Sequence, residues 1–406
     1  MKVLSVNSVF RRGSTGKIVG DHHTELQKRG IESIVCYANG DEYNEPNVYR
    51  ISSPFEQKMQ ALRARLTGLM YGGCRKQTKR IISVIKKENP DIVHLHCING
   101  YTANIFKLLS WLKINEIKTV LTQHAEFFYT GSCGYSYDCE KWRSGCGNCP
   151  NLKTEVPTWF FDRTQMSWKK MSQAFGGFHN LIVTSVSPWL MDRAKLSPFL
   201  ADKRHVVVYN GLDIDSFNKK GVTALRNQYG LTNEKIIFYA TSNFSCDPLH
   251  RKGGYYVLKV AEALKEQNVR VFVAGSHAED LSVPENVTLL GKIEDKEMLA
   301  QYYSLADVTL LTSKKETFSM ICAESLCCGT PVVGFKAGAP ERIAISEYSR
   351  FVEFGNLDEL IKEIKSCLEN KILVDEKVSQ NTYSCENMTT NYCSVYDALL
   401  SSNDGR

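Results

Sequence analysis

The chain has 406 residues, more than one compact domain usually holds, so two domains are the expectation. Apolar types make up 43% and charged types 23%, the proportions of a soluble globular protein, which exclude a disordered, collagen-like or coiled-coil chain. A formal charge of +6, from 50 basic and 44 acidic residues, permits anionic substrates or a membrane surface but gives no argument for nucleic acid.

In chain order, Met1-Lys2-Val3-Leu4-Ser5-Val6-Asn7 is too short and too soon polar for a secretory signal and reads as a first strand. No apolar run approaches the ~20 residues of a membrane span. A cytoplasmic chain is expected, with peripheral contact to the inner face of the membrane compatible with its charge. Further strands are expected at 33–37, 92–96, 119–122, 181–185 and 205–209, then at 236–240, 270–274, 308–311 and 331–335. Helical patterns such as 105–115 and 255–267 lie between them, the alternation of a parallel α/β sheet.

After the first strand, Arg11-Arg12-Gly13-Ser14-Thr15-Gly16-Lys17 leads into a helix. Its glycines would let backbone approach a ligand and the helix start would favour a phosphate. The P-loop spacing is absent, and a flexible surface turn explains the segment equally simply. Fourteen cysteines suggest reduced thiols or a metal site. Four of them, Cys133, Cys139, Cys146 and Cys149, form C-x5-C-x6-C-x2-C inside the loop 131–150, spacing that suits a closed structural zinc site. Free thiols or transient disulfides are the alternative, and the other ten cysteines read as core residues.

A turn-rich stretch, Asn210-Gly211-Leu212-Asp213, is the expected domain boundary. Beyond it, Glu316 and Glu324 stand with seven residues between them, in a loop and helix that follow one strand and precede Gly329-Thr330-Pro331-Val332-Val333. Glu316 should sit at the helix start and Glu324 about two turns inside. Carboxylates there can accept from sugar hydroxyls, and the amides of Phe318, Ser319 and Met320 can face a phosphate. A pair at this spacing on a solvated helix face is the bland reading.

This stretch resembles the family-4 nucleotide-sugar glycosyltransferases, retaining enzymes of the GT-B type. Their signature is Glu-x7-Glu followed by Gly-Thr-Pro-Val. Asn210-Gly211-Leu212-Asp213 is similar to their interdomain segment and Arg251-Lys252-Gly253-Gly254 to their Arg-Lys-Gly loop. Val273-Ala274-Gly275, Ser185-Val186-Ser187-Pro188-Trp189-Leu190 and Asp91-Ile92-Val93-His94-Leu95-His96 also match in order. The resemblance implies two doubly wound Rossmann-like domains facing each other across a cleft. These are an acceptor domain at 1–209, a nucleotide-sugar donor domain at 210–381, and a last helix at 382–406 returning to the first domain. Helix-like spacing of Met388, Tyr392, Tyr396 and Leu399 agrees with that helix.

The resemblance further implies that Arg251 and Lys252 neutralise the donor diphosphate, Glu316 contacts the donor sugar and Glu324 holds the ribose hydroxyls. Gly16 would lie near the phosphates and His124 near the sugar. The chain departs from the family in two places: His124-Ala125-Glu126 replaces a common His-Asp, and Ser319 replaces a common glycine. A similar cysteine-rich insertion marks bacterial members that build surface polysaccharides. A front-face displacement without a catalytic metal is implied, with a nucleotide-diphosphate sugar as donor and a carbohydrate or lipid-linked oligosaccharide as acceptor. Asp213-Ile214-Asp215, the one Asp-x-Asp triplet, reads as structural. Two competing readings are a nucleotide-sugar epimerase of the same layout and a zinc-containing nucleic-acid-binding protein. Dispersed basic residues argue against the latter.

Overall fold

The computed structural model describes residues 1–401, so 402–406 of the expected last segment lie outside the described residues. The chain divides into two compact units, Met1–Gly211 with the segment from Met388 onward, and Leu212–Asn387. Each is a parallel α/β domain.

The first unit holds β1 (Lys2–Val9), β2 (Glu32–Asn39), β3 (Val48–Arg50), β4 (Ile92–Leu95), β5 (Thr119–Gln123), β6 (Leu181–Ser185) and β7 (Arg204–Val207). They pair in parallel in the order β3-β2-β1-β4-β5-β6-β7. The inner strands read as unbroken apolar runs because both faces are covered, and Val3, Leu4, Val6, Ile92 and Val93 are fully buried. The strand order reverses direction between β1 and β4. In such sheets ligands bind outside the strand C-termini at that reversal.

The helix Cys385–Leu400 starts in the second unit, and from Met388 it belongs to the first. Met388, Tyr392, Val395, Tyr396 and Leu399 recur at helical spacing and pack with Val3, Ile18, Ile92, Val120 and Ile182. Each fully buried side chain of this size contributes roughly 1.5–3 kcal/mol. The last helix is thus part of the first domain's core.

The second unit holds β8 (Lys235–Asn243), β9 (Val269–Ser276), β10 (Val287–Gly291), β11 (Val308–Leu311), β12 (Val332–Phe335) and β13 (Ser349–Val352). Their order is β10-β9-β8-β11-β12-β13, again parallel, with the reversal between β8 and β11. Its core joins Ile237, Val271, Val308, Val333 and Leu360. Two Rossmann-like domains are therefore present.

All ten strands expected from the sequence occur. The three not expected, β3, β10 and β13, are all sheet edges. The helix after Glu316 runs Met320–Cys327. Glu324 is its fifth residue and lies just over one turn in, not two. Among the described residues no helix is long and apolar enough to cross a membrane.

Candidate active site

In the second unit, three loops leave the C-terminal ends of neighbouring strands at the reversal point. The loop after β8 carries Arg251 and Lys252, the loop after β11 carries Glu316, and the loop after β12 carries Gly338. Thr312 donates from Oγ1 to the carbonyls of Lys252 (3.1 Å) and Gly253 (3.0 Å), and Lys314 N donates to the Arg251 carbonyl at 2.8 Å. The Tyr239 hydroxyl donates to the Lys252 carbonyl at 2.6 Å. Gly253 has φ +69°, and a Cβ there would strike the carbonyl oxygen of Thr312. Only glycine allows the two loops this approach.

With its backbone so held, Lys252 places Nζ 2.6 Å from Oε1 of Glu316. Glu316 is fixed in turn from the third loop: its N–H donates to the Ala337 carbonyl at 2.9 Å, and it pairs with Gly338 as an isolated parallel bridge. Three strand ends thus converge on one cation and one carboxylate. Arg251 is exposed beside them.

Ser319 caps the helix Met320–Cys327, its Oγ accepting from Cys322 N at 3.3 Å, and its φ is +97°. That region suits glycine and strains serine. Phe318 is buried, while Met320 and Glu324 are partly exposed. Oε2 of Glu324 accepts from the Tyr303 hydroxyl at 2.8 Å. Burial, and then the carboxylate's charge, push the Tyr303 phenol well up, so it remains a donor that orients Glu324. Nothing in the sequence pattern marks Tyr303, Tyr239 or Thr312 as site residues. Their signal is purely spatial.

Gly16 and His124 belong to the first unit. Gly16 is the fourth residue of the helix Gly13–Lys28, and its carbonyl accepts from Arg11 N at 2.8 Å. A Cβ there would press on Val9 Cγ2 at 3.0 Å. His124 follows β5 directly and is buried, with Nε2 3.1 Å from Nδ1 of His96. Burial pulls His124 down to about 4, so it is neutral at pH 7. Behind this pair His94 bonds Thr122 (2.7 Å) and the Tyr396 hydroxyl (2.7 Å), which also meets His22 at 2.9 Å. A chain of neutral imidazoles and hydroxyls therefore joins the last helix to the sheet.

Glu126, the carboxylate near His124, has a different task. It is fully buried, 2.6 Å from Nε of Arg193, and accepts from Tyr129 (2.9 Å) and from Ser136 Oγ (3.0 Å). Arg193 lies over Trp142, a loop residue that is itself buried. The cysteine loop is anchored by this ion pair and by Trp142. Cys133, Cys139, Cys146 and Cys149 are free thiols around a cavity of about 20 Å³. Burial raises Cys146 to about 12 and raises Cys133 and Cys149 as well. Among the described residues no group of three or more His, Cys, Asp or Glu is placed to hold a metal ion. In the Asp-x-Asp triplet, Asp213 Oδ2 is taken by Lys296 and Ser216, each at 2.8 Å.

Comparison with known proteins agrees with this fold. Residues 16–216 match the model of Glycosyltransferase Family 4 and residues 223–384 that of Glycosyl transferases group 1. The chain is 24% identical over 347 residues to N-acetyl-alpha-D-glucosaminyl L-malate synthase of Bacillus anthracis, covering 80% of each. It is 21% identical over 432 residues to WcaC of Escherichia coli (strain K12), a glycosyl transferase assigned provisionally to colanic acid biosynthesis, covering 98% of this chain and all of that one. Anabaena Alr3699/HepE, solved with UDP, has a TM-score of 0.65 at 16% identity, over 98% of this chain and 100% of that one. The same protein solved with UDP-glucose gives 0.64 at 15% identity, over 98% and 100%. The chain is a glycosyltransferase of the two-domain GT-B, family-4 type.

Proposed function

We propose that the protein moves a sugar from a nucleotide-diphosphate donor to a carbohydrate or lipid-linked oligosaccharide acceptor, with retention of configuration, in the building of a surface polysaccharide. The observation that carries this reading is the Lys252–Glu316 pair at the reversal point of the second sheet, 2.6 Å apart. A nucleotide sugar presents a diphosphate that gains charge as the sugar leaves, and hydroxyls that need acceptors. Lys252 and Arg251 meet the first demand and Glu316 the second.

Glu324, oriented by Tyr303, holds the ribose hydroxyls, and the backbone from Phe318 to Met320 faces phosphate. Within the first unit, the backbone at Gly16 can serve a phosphate, and His124 is a neutral imidazole, a hydrogen-bonding partner for a sugar rather than a cation. The Alr3699/HepE complexes with UDP and UDP-glucose support a nucleotide-sugar donor, and WcaC supports the polysaccharide setting.

Retention through a covalent intermediate needs a carboxylate beneath the anomeric carbon. Glu126 is committed to Arg193 and Glu316 to Lys252, which favours front-face displacement, in which the leaving phosphate takes the acceptor proton. Catalysis then rests on positioning and on charge supplied by side chains. With Arg251 and Lys252 in that role and Asp213 engaged elsewhere, no catalytic metal is expected. The test is transfer from a panel of nucleotide sugars, with the product's anomeric configuration read by NMR. The same configuration as the donor is expected. Inversion would overturn the retaining reading, and an isomerised nucleotide sugar without transfer would support the epimerase.

A further inference from the structure

We propose that the first unit rests on an anionic lipid surface through the outer face of the helix Pro54–Thr67 and the aromatic turn Trp159-Phe160-Phe161. The helix is well defined at its start: Ser53 and Glu56 form a reciprocal capping box and Pro54 opens the first turn. It buries only Gln57 and Ala64. Phe55, Met59, Leu62 and Leu66, at steps of four, three and four, fall on one stripe on the opposite side, and all four are exposed, Phe55 at 72%. A helix packed on a sheet normally turns such a stripe inward. This one turns it to solvent.

A second exposed apolar element adjoins the helix. Trp159, Phe160 and Phe161 are three consecutive exposed aromatics, Phe160 at 68%. They are fixed at the helix's C-terminal end, with Trp159 N donating to the Arg65 carbonyl at 2.8 Å. Gly68 ends the helix with φ +69°, and a Cβ there would strike the Phe161 carbonyl. Seven large apolar side chains are thus exposed on two elements joined by a backbone bond, far more than scattered surface apolar residues would give.

The surrounding charge identifies the occupant. Lys58 and Arg65 flank one side of the stripe and Arg63 the other, all exposed. Arg63 opens on a cavity of about 840 Å³ that also gathers Arg75, Lys76, Lys79, Lys107 and Lys170, with no acidic side chain in its lining. An apolar stripe with basic flanks and aromatic residues is the layout of an element lying in the headgroup region, the stems of Lys and Arg reaching outward to phosphate. A second copy docking on the same face would set these cations against one another.

The test is co-sedimentation of the full chain with phosphatidylcholine vesicles, with and without phosphatidylglycerol. Binding to the mixed vesicles and weakening in salt are expected. At least a tenfold loss is expected for the Phe55→Ser, Leu62→Ser, Phe160→Ser triple variant, and a similar loss for Arg63→Glu with Lys76→Glu and Lys79→Glu. If the triple variant does not fold, quenching of the wild-type tryptophan emission by brominated lipid, diminished in Trp159→Phe, serves instead. No co-sedimentation with either vesicle, or undiminished binding by both variants, would overturn the proposal. A wild-type dimer that the triple variant splits would assign the face to a second copy. Because the readout is binding alone, the outcome does not depend on the catalytic reading.

Discussion

Lys252 and Glu316, 64 residues apart in sequence, meet at 2.6 Å where two strand-end loops are locked together by Thr312. Both side chains are mostly buried, 22% and 14% exposed, so the pair is less screened than a surface ion pair. Lys252→Ala, and separately Glu324→Ala, should lower transfer at least ~100-fold, the scale of a lost charged contact of a few kcal/mol. Because Glu316 positions Lys252, adding Glu316→Gln to Lys252→Ala should cost less than the sum of the single effects. Initial rates of the four proteins check this, and strict additivity would show that the pair does not act as a unit.

Ser319 sits at φ +97° with its hydroxyl as a helix cap. Ser319→Gly removes backbone strain of about 1–3 kcal/mol and gives up a cap that glycine replaces at a cost of a few tenths. The second domain should gain about 1 kcal/mol in urea unfolding with activity kept. A loss of stability would mean that the cap outweighs the strain.

The cysteine loop offers a direct contest between two anchors. Glu126→Ala leaves the mostly buried Arg193 with the more exposed Glu140 as its carboxylate partner and should cost about 3 kcal/mol. Cys149→Ser, by contrast, should cost under about 1 kcal/mol. Thermal melting together with elemental analysis separates the cases. If Cys149→Ser collapses the loop and the wild-type protein carries one zinc per chain, a metal and not the ion pair holds it.

The buried histidines of the first domain make its stability depend on pH. An unfolded imidazole takes its proton near 6.5, whereas burial pulls His124 to about 4, His22 to about 3, and His94 and His96 well down. Below about pH 6.5 the unfolded chain therefore binds more protons, and stability falls with pH until the native groups titrate near 4. Each such group contributes up to about 1.4 kcal/mol per pH unit in that window. Urea midpoints followed from pH 7 to 5 should decline for the first domain. A flat profile would contradict the neutral network.

What the sequence showed and what it hid have separate physical causes. Inner strands such as β4 and β8 were legible because burial on both faces leaves continuous apolar runs, whereas β3, β10 and β13 are edges with half-exposed, mixed residues. The candidate donor residues were legible as spaced motifs, since Lys252 and Glu316 each sit in a loop with a fixed pattern. Tyr303, Tyr239 and Thr312 were not, because their role is to orient a neighbour from a distant element. The task of Glu126 was hidden for a similar reason: its partner Arg193 lies 67 residues away. The outward stripe of Phe55, Met59, Leu62 and Leu66 has the same periodicity as a core stripe. Only the structure shows which way it faces.

The central claim is that charge at the second domain's reversal point releases a nucleoside diphosphate from a sugar. The measurement that tests it most directly is the initial rate of nucleoside diphosphate release from a panel of nucleotide sugars, compared between the wild-type chain and Lys252→Ala. The account predicts release from at least one donor, faster with acceptor present, and a drop of at least ~100-fold in the variant. Equal rates in the two proteins, or no release from any donor by a folded wild-type chain, would contradict it.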